Sequence, residues 1–308
     1  MKIRLGYACI STTLDITTSG TITYTNFLKE KNYNKINNLI TSNLTNLKEL
    51  LIYNIKNNIH FFRMSSNLIP LATKDDVCFD YIKPYKKNYN ELSKIINDNN
   101  IRVDFHLPEF CVLNSTSKET VANSIKIIEY HYNLLEVMNI KNKVLVLHIG
   151  SSVLGKKNSI TRFINNFNNL PNYLKEIIVI ENDDKIFNIE DCLEINKKTN
   201  IPVVLDYHHY MCNPSDLNFE SIFSTWKTTP KIHFSSPKSK IKKEFRSHND
   251  YINSDNFIAF LDKIKNLNYD IDIMIEAKKK DEALFKLVRE LKYKTNYDFI
   301  DETTFIIK

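Results

Sequence analysis

The stretch VVLDYHH, residues 203–209, starts as a β-branched apolar run and stops on Asp206, with His208 and His209 close behind. Outward from it in both directions the pattern returns. FHLPEF (105–110) carries His106, LVLHIG (145–150) His148, IIVIEND (177–183) Glu181, KIHFS (231–235) His233 and IDIMIEAK (271–278) Glu276. Short apolar runs bounded by turn residues read as buried strands. Each of these ends on a carboxylate or an imidazole, the side chains that bind divalent metals. Strands deliver side chains to fixed points, so donors at successive strand ends point to one polynuclear metal centre.

Eight such runs are expected, at about 3–8, 59–64, 102–106, 144–148, 177–181, 203–206, 231–234 and 271–276. Between them apolar residues recur at helical spacing. Examples are Ile36, Leu39, Ile40, Leu44, Leu47, Leu51 and Ile55, then Val121, Ile125, Ile128, Tyr132, Leu135 and Met138, then Phe257, Phe260, Leu261 and Ile264. Strand–helix alternation means parallel strands joined by crossovers. Eight units give an α/β fold of the closed (β/α)8 TIM-barrel type, with function at the carboxyl ends of the strands. A doubly wound sheet would gather its site at one switch point; here the donors fall on six consecutive runs, as around a ring. No phosphate-binding glycine loop, repeat or linker is visible, so residues 1–308 read as one domain.

Composition narrows the function classes. No apolar stretch reaches the roughly 20 residues of a membrane span, and MKIRLGYAC has a basic start without an apolar core behind it, unlike a signal peptide. The five cysteines are scattered and form no CxxC pair, as expected of reduced thiols in the cytoplasm. The net charge of +6, from 42 Lys and Arg against 36 Asp and Glu, does not by itself establish a nucleic-acid partner.

A single histidine at a strand end is more often structural than a ligand; the joint occurrence decides. His106, His148, His209, His233 and His248 join Glu181, Asp206 and Glu276 at strand ends or in the loops that follow. Three bare carboxylates buried together need cations between them. Mixed His, Asp and Glu donors suit Mn2+ or Zn2+ better than Ca2+. His60 and His131 read as structural, and His208 as able to face either way. Lys231 lies two before His233 and therefore points inward with it, either as a carbamate or as a contact to a phosphate. The basic residues Lys156 and Lys157, and Lys242, Lys243 and Arg246 in KSKIKKEFRSH (238–248), are candidates for contacts to an anionic partner on the same rim.

These motifs resemble the UV damage endonucleases. The matching stretches, in family order, are RLGYA (4–8), FFRMSSNLIPLA (61–72), FHLPEF, LVLHIGS (145–151), IEND (180–183), LDYHH (205–209), KIHFS, SHNDYI (247–252) and IEAKKK (275–280). The resemblance implies one barrel akin to the zinc-dependent apurinic endonucleases, with up to three Mn2+ ions (Zn2+, Co2+ or Mg2+ in their place). It implies incision of damaged double-stranded DNA immediately 5′ of cyclobutane dimers and (6-4) photoproducts, and of abasic sites, leaving 3′-hydroxyl and 5′-phosphate ends. His106, His148 and Glu181 would hold one ion. Glu181 would bridge to a second held by Asp206, His233 and Glu276, and His209 and His248 would hold the third. Glu181, Glu276 and Lys231 would serve catalysis, while Tyr7, Ser11, Glu109 and Phe110 would face the lesion. Glu109 stands where the family has Gln, and Ser11 where it frequently has Asn. A monomer in the cytoplasm, on the nucleoid of a bacterium, without an obligate protein partner and away from membranes, would suffice. A pure zinc-dependent apurinic endonuclease is the closer alternative, and a metal-dependent sugar isomerase the more remote one, set aside because a small neutral sugar has no use for basic loops.

Overall fold

A computed structural model describes all 308 residues. Its barrel strands are β1 (Lys2–Ala8), β2 (Phe61–Met64), β3 (Arg102–His106), β4 (Leu145–His148), β5 (Ile178–Glu181), β6 (Val203–Asp206), β7 (Lys231–Phe234) and β8 (Ile271–Ile275). Neighbours pair in parallel in chain order and β1 joins both β8 and β2, closing the (β/α)8 barrel. The eight expected runs coincide with these strands to within two residues at either end. The crossovers carry α1 (Tyr24–Glu30) and α2 (Tyr33–Lys56), α3 (Lys86–Asp98), α4 (Lys118–Val137), then α5 (Lys156–Asn168) with α6 (Asn172–Lys175). Further on come α7 (Ile189–Thr199), α8 (Tyr207–Cys212) with α9 (Phe219–Phe223), α10 (Lys242–Phe245) with α11 (Ser254–Ile264), and α12 (Lys280–Lys294).

Two helical stripes fare differently. In α2 the expected Ile36, Ile40, Leu44, Leu47 and Leu51 are buried. In α4 the buried face is Ile127, Ile128, Tyr130, His131, Leu134 and Leu135, so the expected stripe is rotated and Val121, Ile125 and Tyr132 are only half-buried. Periodicity alone could not choose between overlapping stripes in a helix apolar on much of its circumference.

The chain ends with two strands that periodicity did not find, β9 (Asp298–Phe299) and β10 (Thr304–Ile306). They are too short to show a period. β10 runs antiparallel to the lower half of β1, pairing Lys2 with Ile306 and Arg4 with Thr304. The upper half pairs with β2 through Tyr7–Phe62 and Ala8–Arg63. The closing seam is thus short, and Gly6 sits at its start, where an added Cβ would meet the Phe61 carbonyl oxygen at 2.1 Å. Backbone cannot yield as a flexible side chain does. Gly6→Ala is expected to lower stability by about 3 kcal/mol or more, read as the urea midpoint followed by circular dichroism. An unchanged midpoint would mean that the seam is not this tight.

Parity along β1 divides two cores. Ile3, Leu5 and Tyr7 join the large apolar layer between strands and helices, whereas Ala8 packs on Phe61 and Met274 inside the barrel. Val144, Val146, Val179 and Val204 form another small cluster, capped by Trp226. Above and between these lie buried charges. Arg4 and Arg102 both bind Asp272 (2.6 and 2.7 Å), and Lys231 Nζ lies 2.6 Å from Asp104 Oδ2 with both side chains fully buried. Such charges survive in an interior only when paired.

Candidate metal centre and its cleft

All eight expected donors reach the carboxyl-end mouth of the barrel. His106, His148, Glu181 and Asp206 are the last residues of β3, β4, β5 and β6; His233 lies one before the end of β7, and Glu276 follows β8 directly. Parallel register sets His148 beside Glu181 and Asp206 beside His233. Glu181 is the hub: His106 Nε2 lies 2.9 Å, His233 Nδ1 3.1 Å and His209 Nδ1 3.3 Å from its carboxylate. Asp206 caps α8, accepting the His209 N–H at 2.7 Å through Oδ1, which leaves Oδ2 facing the cluster. Asn182 locks this corner, its side chain exchanging both amide bonds with the Asp206 backbone (3.0 and 2.9 Å). His248 is the outlying member, its Nδ1 4.0 Å from Glu276 Oε2.

Three overlapping triads have donor atoms within 4.8 Å of one another: His106–Glu181–His233, Glu181–Asp206–His209 and Asp206–His233–Glu276. This grouping differs from the expected partition in joining His106 with His233 and His209 with Asp206. Three details show that the residues suit divalent ions. His106 Nδ1–H donates to the Leu107 carbonyl at 2.9 Å. A neutral ring then turns its Nε2 lone pair on Glu181 Oε2, acceptor against acceptor at hydrogen-bond distance, which calls for a cation or proton between them. Asp206 Oδ2 and His148 Nδ1 are buried without any partner. Burial, with Glu181 and Glu276 nearby, pushes Asp206 up to about 7 although His209 opposes it. Burial would depress His209, yet Asp206 and Glu181 lift it to about 11. The cluster is short of positive charge, the condition a divalent ion relieves.

Six of the donors, His106, His148, Glu181, His209, His248 and Glu276, floor a cleft of about 780 Å³ whose walls include Glu109, Phe110, Gly150 and Arg246, while Asp206 and His233 are fully buried. Phe110 is 71% exposed, a large ring held out to solvent at the lip. Lys157, Lys242 and Lys243 are exposed.

Several expectations are corrected by the geometry. Tyr7 does not face a lesion: it is fully buried on the outward face of β1, and its hydroxyl donates to Asn54 Oδ1 of α2 at 2.7 Å. Ser11 is also buried, donating to Asp281 Oδ2 at 2.7 Å and accepting the Thr13 and Leu14 N–H groups, which makes it a loop fastener. Lys231 points inward as expected but stops one layer beneath the donors on Asp104, out of reach of any phosphate. Burial lowers it to about 8 against the pull of Asp104. Lys156 is engaged with Asp191 at 2.6 Å, and Arg246 with Asp184 at 2.5 Å. His208 is structural: Nε2–H donates to the Phe245 carbonyl and Nδ1 accepts from Ser235 Oγ (2.7 and 2.8 Å), pinning α10, which carries Lys242 and Lys243.

Sequence reading missed Arg63 and Asp104, although a signal was there. Each is a charged residue inside an apolar run, and Asp104 lies two before His106, as Lys231 lies two before His233. The same parity argument brings Asp104 inward as the counter-ion of Lys231.

Fold and site together define a (β/α)8 barrel with a His and carboxylate cluster, suited to metal ions, open to a cleft at its catalytic mouth. Residues 3–304 match the family described as UV-endonuclease UvdE. The UV DNA damage endonuclease of Bacillus cereus (strain B4264) is 37% identical over 303 residues, covering 94% of this chain and 95% of that protein. That of Bacillus mycoides (strain KBAB4) is 38% identical with the same coverage. The crystal structure of SacUVDE superposes with a TM-score of 0.86 at 34% identity, over 94% of this chain and 98% of the other. The chain belongs to the UV-endonuclease UvdE family and is a DNA repair endonuclease. Endonuclease IV from Thermus thermophilus (TM-score 0.59, 10% identical, covering 95% of this chain and 100% of the other) shares the fold alone.

Proposed function

We propose that this endonuclease cuts the phosphodiester immediately 5′ of UV photoproducts, and of abasic sites, leaving 3′-hydroxyl and 5′-phosphate ends. Its ions would be Mn2+, with Zn2+, Co2+ or Mg2+ able to substitute. The observation that carries this reading is the convergence of five imidazoles and three carboxylates, from six strand ends, helix α8 and the loop of His248, at the barrel mouth beneath one cleft. Divalent ions held there supply Lewis acidity toward the scissile phosphodiester and the attacking water. The chain's own residues do the rest. Glu181 ties the donors together, with Glu276 and Asp206 completing the anionic floor, and the Leu107 carbonyl orients His106. Lys231 acts as a positioning residue through Asp104, beneath the donors. Lys157, Lys242 and Lys243 lie free to meet phosphates, and Lys156 and Arg246 can do so only by leaving Asp191 and Asp184. One chain supplies every donor, so a monomer suffices.

A lesion must leave the helical stack to reach this floor, at a cost that damage reduces. Phe110 is the side chain placed to fill the gap, with Glu109 beside it. Phe110→Ala is expected to reduce incision of a dimer-containing duplex about tenfold or more with its melting temperature unchanged; equal rates would remove the wedge. The reading as a whole is tested on a denaturing gel. Metal-stripped protein is supplied with Mn2+ and one of three duplexes, carrying a thymine dimer, an abasic site or no lesion. Cutting 5′ of the dimer is the expected result. Cutting at the abasic site alone would replace it with a pure apurinic endonuclease, and no cutting at all would end it.

A further inference from the structure

One side chain in the cleft floor is neither a donor nor near the lip. Arg63 of β2 has 8% of its side chain exposed and reaches across the barrel into the donor set. Its Nη1 lies 2.6 Å from Glu276 Oε1. Its Nη2 lies 2.7 Å from His233 Nε2 and 3.4 Å from Nδ1. A guanidinium has donors only, so in this contact His233 must accept. A neutral imidazole has a single nitrogen lone pair, and Arg63 is using it.

That lone pair is also what a metal ion would need at the position shared by Asp206, His233 and Glu276. Binding through Nε2 requires Arg63 to leave. Binding through Nδ1 moves the ring proton to Nε2, where it faces a guanidinium N–H at 2.7 Å, donor against donor. On either nitrogen, ion and arginine exclude each other in the present arrangement, and their charges repel besides.

The barrel holds a second berth. Arg63 Nε and Asp104 Oδ1 are 3.9 Å apart, and both are buried without a hydrogen-bond partner. A small downward shift of the guanidinium would satisfy both atoms and release Glu276 and His233. Buried unpartnered polar atoms cost free energy, so the lower berth is favourable as soon as the upper one is contested.

Resting on the metal reading above, we infer that Arg63 is a two-position cation. It holds Glu276 and His233 while the position they share with Asp206 lacks an ion, and it retires to Asp104 when an ion arrives. Loading of that position is an exchange of one cation for another. It is therefore the weakest of the metal positions, and the donor set stays assembled before it fills.

The test uses full-length protein stripped of metal and titrated with Mn2+, free aqueous Mn2+ being followed by electron paramagnetic resonance. Thermal unfolding of the metal-free samples is recorded alongside. Arg63→Gln is expected to tighten the weakest class of Mn2+ sites by about tenfold or more while lowering the metal-free melting temperature. Arg63→Lys, which keeps the charge and the fold but reaches only one partner at a time, should tighten that class by a smaller factor. If Arg63→Gln does not fold, the Arg63→Lys shift decides the matter. Unchanged or weaker Mn2+ binding in the folded variants would show Arg63 to be a fixed bracket and overturn the exchange. Wild-type protein that takes up no Mn2+ would instead overturn the metal reading on which the exchange stands.

Discussion

Glu181→Gln is expected to leave the barrel folded and to lower strand incision by at least roughly 10³-fold. Its carboxylate is fully buried and meets three imidazoles within 3.3 Å, and it belongs to two of the three donor triads. Burial alone would raise its pKa, but the His233 and His148 imidazoles beside it hold it well below the usual carboxylate range. It is thus firmly ionised, as Glu276 is, in a cluster in which Asp206 is pushed the other way. An amide keeps the shape and most of the packing but removes the charge and one acceptor. Two ion positions then lose a ligand together. Single-turnover incision of a dimer-containing duplex, measured with the bound-metal count, checks this. A variant within tenfold of wild type would mean that Glu181 is not the hub.

Asp104→Asn is expected to destabilise the protein by about 3–5 kcal/mol, because it strands a fully buried ammonium. Asp104 and Lys231 have no exposed side-chain area and no other ion partner as close as their 2.6 Å contact. The double variant Asp104→Asn, Lys231→Met is expected to recover most of the loss, since removing both charges also removes the desolvation penalty. The deficit should depend on pH. Burial already brings Lys231 to about 8, below its ordinary 10.5, and loss of Asp104 can only lower it further. The folded-state value lies below the unfolded one. Across that window the unfolded chain binds the extra proton, so stability rises with pH. Wild type gains in the same way only above about pH 8, so the gap between Asp104→Asn and wild type narrows as pH rises toward about 8 and is constant above it. Urea midpoints at several pH values provide the measurement; a loss under about 1 kcal/mol at pH 7 would mean that Lys231 is not a buried cation.

How much could be read beforehand differs from residue to residue. His106, His148, Glu181 and Asp206 were legible because each ends an apolar run, and strand direction alone sends such a residue to the catalytic mouth. The grouping of donors into triads was not legible, since it depends on side-chain reach across the barrel. Tyr7 and Ser11 were misplaced for a related reason. Adjacency to a strand end says that a residue is near the mouth but not which way it turns. One step of parity carries Tyr7 outward to Asn54, and a local turn carries Ser11 to Asp281. The strands β9 and β10 escaped because two or three residues carry no period.

By itself the sequence determined the architecture: eight strands in order, helices between them, and metal-type donors at one end of the barrel. Those are consequences of local pattern and chain direction, which a one-dimensional string carries in full. Only the tertiary structure decided that Arg63 lies against His233, 170 positions away in the chain, that Lys231 is answered by Asp104, and that Glu181 is where three imidazoles meet. Such contacts are set by the curvature of the closed sheet and the level of each side chain within it. Residues far apart in the chain become neighbours only once the seam between β1 and β2 has closed.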